Sequence, residues 1–131
     1  MISTRGRYAL RVMLDIAANQ KEGYVPMKDV ANRQGLSLKY LEQIIPSLSK
    51  NGLIVGIQGK GGGYRLTRDV GEYKIGEILR LTEKDLVSVS CLAPGAPECE
   101  RRASCKTVAF WAGLDKAMND YMDSKTLADL L

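Results

Sequence analysis

Three cysteines carry the most reactive side chains of this protein. All of them fall within fifteen residues, Cys91-Leu-Ala-Pro-Gly-Ala-Pro-Glu-Cys99-Glu-Arg-Arg-Ala-Ser-Cys105. Thiolates are the ligands that soft iron and zinc centres prefer, and a thiol beside cations is also readily and reversibly oxidised. The proline- and glycine-bearing setting marks a loop suited to holding a metal or to switching by redox chemistry. Glu98 and Glu100 flank the middle cysteine and are the nearest oxygen donors for a fourth ligand. The chain contains no histidine. A thiol enzyme therefore lacks its usual base, and no serine-nucleophile motif is present, so the residues point away from catalysis.

Three thiolates leave one corner of a four-coordinate site to be filled from elsewhere. An oxygen ligand there would make that corner exchangeable. Structural zinc sites pair their cysteines at C-x2–4-C spacing, whereas seven and then five residues separate the cysteines here. Arg101, Arg102 and Lys106 stand where they would lower thiol pKa values, which serves a metal-free switch. On the residues alone iron–sulfur, zinc and thiol-redox chemistry all remain open.

Charge divides the chain. Residues 1–68 hold 11 Lys/Arg against 4 Asp/Glu, a net +7, and residues 69–131 hold 8 against 11, a net −3. A basic front half faces an anion, most often a nucleic acid, and leaves the back half for another task. The 131 residues suffice for one domain with a real core. No apolar run approaches the roughly 18 residues of a membrane span, no secretory leader is legible, and the odd cysteine count argues against a disulfide framework. A soluble cytoplasmic protein with reduced thiols is the expectation.

The elements that must position these groups follow from periodicity. Ser3 or Thr4 caps a first helix to about Asn19. Gly23 and Pro26 interrupt, a short helix spans about Met27 to Gln34, and Gly35 ends it. Ser37 caps a third helix to Lys50, in which Leu38, Leu41, Ile45 and Leu48 form the stripe predicted to be buried. Its outer face carries Ser37, Lys39, Tyr40, Glu42 and Gln43. Two short helices joined by a glycine turn, the second with a polar outer face, form a helix-turn-helix that enters a major groove. Leu53 to Val55 and Tyr64 to Leu66 read as a hairpin around Gln58-Gly-Lys60-Gly-Gly-Gly63, a wing whose Gln58, Lys60, Arg65 and Arg68 would lie along the backbone of a duplex. The glycine run fits neither the Walker spacing nor G-x-G-x-x-G, whose third glycine position is Tyr64. A helix follows from Ile75 to about Leu81. A long helix is predicted from about Ser104 to Met122, and a short one closes the chain at 126–131. The wide apolar stripe of the long helix, Phe110, Trp111, Leu114, Ala117, Met118 and Tyr121, suits a homodimer interface or packing on the first helix.

The expected fold is mainly α with a small β-hairpin wing, a winged helix-turn-helix plus a long C-terminal dimerisation helix. It divides into a DNA-binding unit (1–82), a cysteine-containing sensor loop (83–106) and a dimerisation helix with a terminal short helix (107–131). The stretches Ser3 to Asp15, Leu38 to Gln43 and Gly59 to Tyr64 resemble the signatures of the Rrf-two superfamily of winged-helix transcription regulators. The cysteine loop before the long helix resembles its IscR- and NsrR-like iron–sulfur branch and differs from the CymR-like branch. The resemblance implies a homodimer on a pseudo-palindromic double-stranded DNA operator. It also implies an iron–sulfur cluster, [2Fe-2S] or [4Fe-4S], held by Cys91, Cys99 and Cys105. It puts Ser37, Lys39, Tyr40, Glu42 and Gln43 on the recognition helix and Gln58 and Lys60 on the wing, with Glu42 as a discriminator between operators. The chain departs from that pattern. The first cysteine spacing is wider, Val108 stands where IscR-like proteins place a histidine, Arg7 where some NsrR-like proteins place an aspartate, and Gln58 where a wing arginine is found. A fourth ligand must come from another group.

Overall fold

The computed structural model describes residues 2–131. Helix α1 (Thr4–Asn19) starts at Ser3, whose hydroxyl accepts from the Gly6 N–H at 3.1 Å, and buries Ala9, Val12, Met13 and Ile16. Helix α2 (Met27–Gln34) begins after Pro26 and stops at Gly35, where φ is 66°. That left-handed conformation favours glycine and turns the chain sharply into the next helix. Helix α3 (Leu38–Lys50) is capped by Ser37, which accepts from the Tyr40 N–H at 3.0 Å. Leu41, Ile44, Ile45 and Leu48 form its buried face. The expected stripe is corrected at one position: Leu38 is 43% exposed and Ile44 takes its share of the core. Leu38 is the first helical residue, set at the mouth of a groove beside Met27 and Tyr64, while Ile44 faces inward three residues after Leu41.

Strands β1 (Ile54–Ile57) and β2 (Gly63–Leu66) form an antiparallel hairpin with Ile54 opposite Leu66 and Ile57 opposite Gly63. Ile54 and Leu66 enter the core, so only the base of the wing is anchored apolarly. Tyr64 exchanges backbone hydrogen bonds with Val25 at 2.7 and 2.9 Å, tying the hairpin to the segment that leads into α2. Gly63 is required there, because its φ is 149° and a Cβ would strike the Val25 backbone. Tyr73, fully buried, locks the other side. Its hydroxyl donates to the Leu53 carbonyl at 2.7 Å and accepts from the N–H groups of Thr67 and Arg68.

Helix α4 (Ile75–Thr82) places Ile75, Ile78 and Leu79 in the same core. Helix α5 (Val108–Ser124) packs on α4 rather than on α1 and is pinned there by Arg80, whose guanidinium reaches both oxygens of Asp123 at 2.8 and 2.9 Å and Asn119 Oδ1 at 2.8 Å. It begins four residues later than periodicity suggests. A separate 3-10 turn ends at Ser104, and the extended backbone of Cys105 interrupts any continuous helix. Helix α6 (Leu127–Leu130) returns to the body: Leu127 is fully buried, and its N–H donates to the Tyr73 carbonyl at 3.0 Å. Among the described residues no helix is long and apolar enough to cross a membrane.

Candidate nucleic-acid interface and cysteine segment

The polar face of α3 is presented outward. Ser37, Lys39, Glu42 and Gln43 are exposed, and Tyr40 is half-buried against Tyr8 of α1, with ring centroids 5.5 Å apart in an edge-to-face pair. Arg11 lies over the other aromatic partner, 5.1 Å from the Tyr8 ring centroid. Pro46 sits inside α3, a feature not drawn from periodicity; it withholds an N–H from the Glu42 carbonyl.

The turn before α3 is braced from beneath by Asp15, the one buried charged residue among those described. Arg33 reaches its carboxylate at 2.7 Å, Gln34 Nε2 donates to it at 2.9 Å, and Arg11 Nε donates to Gln34 Oε1 at 3.0 Å while its Nη2 reaches the Gln34 carbonyl. The hydrogen bond to Asp15 raises the Arg33 pKa further above its already high value. Four side chains thus tie the end of α2 to α1, directly before the turn into α3.

On the wing Gln58 and Lys60 are exposed at or near the tip. Arg65, on β2, has its guanidinium 5.8 Å from the Tyr24 ring centroid. Arg68 is redirected: it pairs with Glu77 at 2.8 Å and stacks over Tyr73 at 4.2 Å, so it braces the hairpin base instead of extending the basic face. The hydrogen bond that Arg68 donates to Glu77 is also the main cause of its raised pKa. Sequence spacing carries no sign of this pairing, since Glu77 lies on a different element.

The cysteine segment is spread over the surface. Cys91 lies in a 3-10 turn (Ser90–Leu92), and Cys105 directly follows another (Arg102–Ser104) and precedes α5. All three thiols are free and exposed. Among the described residues no three His, Cys, Asp or Glu side chains are gathered closely enough to hold a metal ion, so the fold does not bring Glu98 or Glu100 together with the cysteines either. The donor set still has the chemistry of a soft metal site. Backbone hydrogen bonds inside the segment each join residues three apart, such as Arg102 to Cys99 and Ala96 to Ala93, so drawing the thiols together breaks no long-range backbone bond. At the segment's entrance the Ser88 N–H donates to Asp115 Oδ1 at 2.6 Å, connecting it to α5. Thr107 holds the Cys105 thiol below its ordinary pKa through its hydroxyl and backbone, aided by the Val108 N–H and the Arg102 charge. Arg7 donates to Thr4 Oγ1 at 3.1 Å, and Val108 opens α5.

Along α5 the predicted apolar stripe is largely open. Phe110 is 57%, Leu114 44% and Tyr121 65% exposed; Ala117 is exposed, and Trp111 and Met118 are half-buried. Ile2, Leu86, Val87, Trp111, Leu114 and Met118 line an adjoining apolar hollow of about 450 Å³.

Comparison with known proteins agrees with this architecture. The model of the Rrf2 family, described as an iron-dependent transcriptional regulator, matches residues 2–131. The HTH-type transcriptional regulator IscR of Cronobacter sakazakii is 37% identical over 99% of this chain and 79% of its own length. Among solved structures, T. potens IscR superposes with a TM-score of 0.79 at 36% identity, covering 99% of this chain and 85% of the other. CymR, the global cysteine regulator of B. subtilis, superposes equally well, at 0.79 and 32% identity, over 99% of this chain and 95% of the other. The outward polar helix, the wing and these full-length similarities fix the assignment: the chain belongs to the Rrf2 family of non-enzymatic, DNA-binding transcription regulators and is IscR-like.

Proposed function

We propose that this regulator works as a homodimer joined along α5, and that Cys91, Cys99 and Cys105 take up an iron–sulfur cluster, [2Fe-2S] or [4Fe-4S], whose presence sets operator affinity. The observation that carries the reading is placement. Every thiol of the chain lies in one exposed segment between the α4 end of the winged helix and the open apolar stripe of α5. When bound, the cluster supplies a redox-sensitive cross-link between residues far apart in that segment. The protein's own part is to hold three thiolates, to offer Glu98 or Glu100 as a fourth donor, and to order the segment against α5. In this reading residues 1–82 bind DNA, 83–106 sense, and 107–131 dimerise and close the body.

Ser37, Lys39, Tyr40, Glu42 and Gln43 read the major groove, while Gln58 and Lys60 contact the backbone and the minor groove. Lys39 donates to phosphate or guanine, Gln43 has the donor–acceptor pair that adenine requires, and Glu42 accepts from cytosine N4. A footprint on an operator selected by the wild-type protein from a pool of random duplexes tests the placement. It should disappear in the double variant Lys39→Ala/Gln43→Ala, and an unchanged footprint would remove α3 from the interface.

A metal-free thiol switch is the second reading. The lowered pKa of Cys105 favours it, as does similarity to S. aureus CymR, solved in an oxidised form, at 33% identity and a TM-score of 0.74. Iron and sulfide analysis separates the two.

A further inference from the structure

We infer that Glu83 is a positioning residue for DNA reading: its carboxylate links the base of the cysteine segment to the recognition helix through the first turns of α1. The inference deepens the regulatory reading above and rests on it for the identity of the signal. Glu83 caps the end of α4, its N–H donating to the Leu79 carbonyl at 2.9 Å, and it is the first residue of the segment that leads to the cysteines. Its Oε1 accepts twice from Ser3, from the N–H at 2.9 Å and from the hydroxyl at 2.7 Å. The same oxygen lies against Gly6, where any Cβ would collide with it. Gly6 is buried and has an ordinary helical backbone, so a Cβ there would act by displacing the Glu83 carboxylate rather than by straining the helix.

The contact is electrostatically apt as well. The first turn of α1 contains no acidic residue, and Glu83 brings an anion from outside to the positive end of the helix. From that turn two contacts run to α3. Arg5 Nη2 donates to the Gln43 carbonyl at 3.0 Å, and Tyr8 packs edge-on against Tyr40. Gln43 and Tyr40 belong to the proposed base-reading face. A change in the segment that moves Glu83 therefore shifts Ser3 and Gly6, and with them the seat on which the first half of α3 rests. No flexible loop intervenes, since Glu83 touches a helix start and Arg5 and Tyr8 lie on that same helix.

The test is a double-mutant cycle on operator affinity in the full chain, first without metal and then after anaerobic loading with iron and sulfide. Glu83→Ala and Arg5→Ala should each weaken binding by metal-free protein on the order of tenfold, and the double variant should be no weaker than the weaker single, because both break one connection. Glu83→Gln, which keeps the acceptor oxygen, should retain most of the affinity, and thermal unfolding identifies any variant that has lost its fold. If the two losses multiply, or if Glu83→Ala alone leaves affinity unchanged in the folded protein, the positioning role is overturned. In the loaded protein, the ratio of loaded to metal-free affinity should collapse towards one in Glu83→Ala. A ratio equal to that of wild type would overturn the link to the cysteine segment. Failure of wild type to take up iron would instead count against the cluster reading, with the metal-free cycle still deciding the role of Glu83.

Discussion

Glu42 and Asp15 are two carboxylates with opposite settings and different work. Glu42 is exposed on the outer face of α3; in the proposed complex it would face phosphate as well as bases, lowering affinity while adding selectivity. Replacing it with alanine should tighten binding to unrelated duplexes and weaken discrimination at one cytosine by about 1–3 kcal/mol, measured by titration against operators altered at single positions. Asp15 is buried beneath the turn, and its partners Arg33, Gln34 and Arg11 make it a brace rather than a contact. The outward residues were legible from the sequence because they fall on one face of a capped helix. The brace was not, since Asp15 and Arg33 lie 18 positions apart on different helices and no local pattern joins them. For the same reason Arg68 reads as a wing cation until Glu77 appears beside it.

At the scale of elements, helix existence and most boundaries followed from caps and breakers: Ser3, Gly35 and Ser37 act where their chemistry predicts. The start of α5 did not follow, because the amphipathic pattern runs on through Ser104 while the backbone is interrupted at Cys105. Nor did its partner, α4, which is chosen by the fork of Arg80 on Asp123. Arg80 holds the Asp123 carboxyl below the usual carboxylate range through this hydrogen bond. A depressed folded-state value contributes stability above the unfolded pKa, and that contribution is lost as pH falls through the folded value. Both side chains are more than a third exposed, so the pair is worth about 1 kcal/mol or less. Asp123→Asn should accordingly lower the thermal midpoint slightly at neutral pH, with the difference from wild type closing below about pH 4. A gap that persists in acid would remove charge as the cause.

The whole molecule has a basic winged-helix unit, an exposed cysteine segment and an apolar stripe on α5 that the described residues leave largely open. The stripe was legible as amphipathic periodicity; its exposure was not, because a sequence pattern does not say which stripe a fold leaves open. Phe110, Leu114 and Tyr121 form a face suited to a second copy of the chain. Leu114→Glu should convert a dimer into monomers in sedimentation and weaken operator binding at least tenfold through loss of the second half-site. A variant that still sediments as a dimer would place the interface elsewhere. The cysteine segment is the least legible part at this scale. Its residue types announce soft-ligand chemistry, yet the fold leaves the three thiols apart, and nothing local specifies how they are gathered. The most direct test of cysteine-based control is therefore anaerobic isolation from iron-replete cells, with iron, sulfide and visible absorption measured for wild type and for Cys91→Ala, Cys99→Ala and Cys105→Ala. A coloured wild-type protein containing iron and sulfide, with both lost in each variant and operator affinity altered on cluster removal, is the expected result. A colourless, iron-free wild-type protein would contradict it.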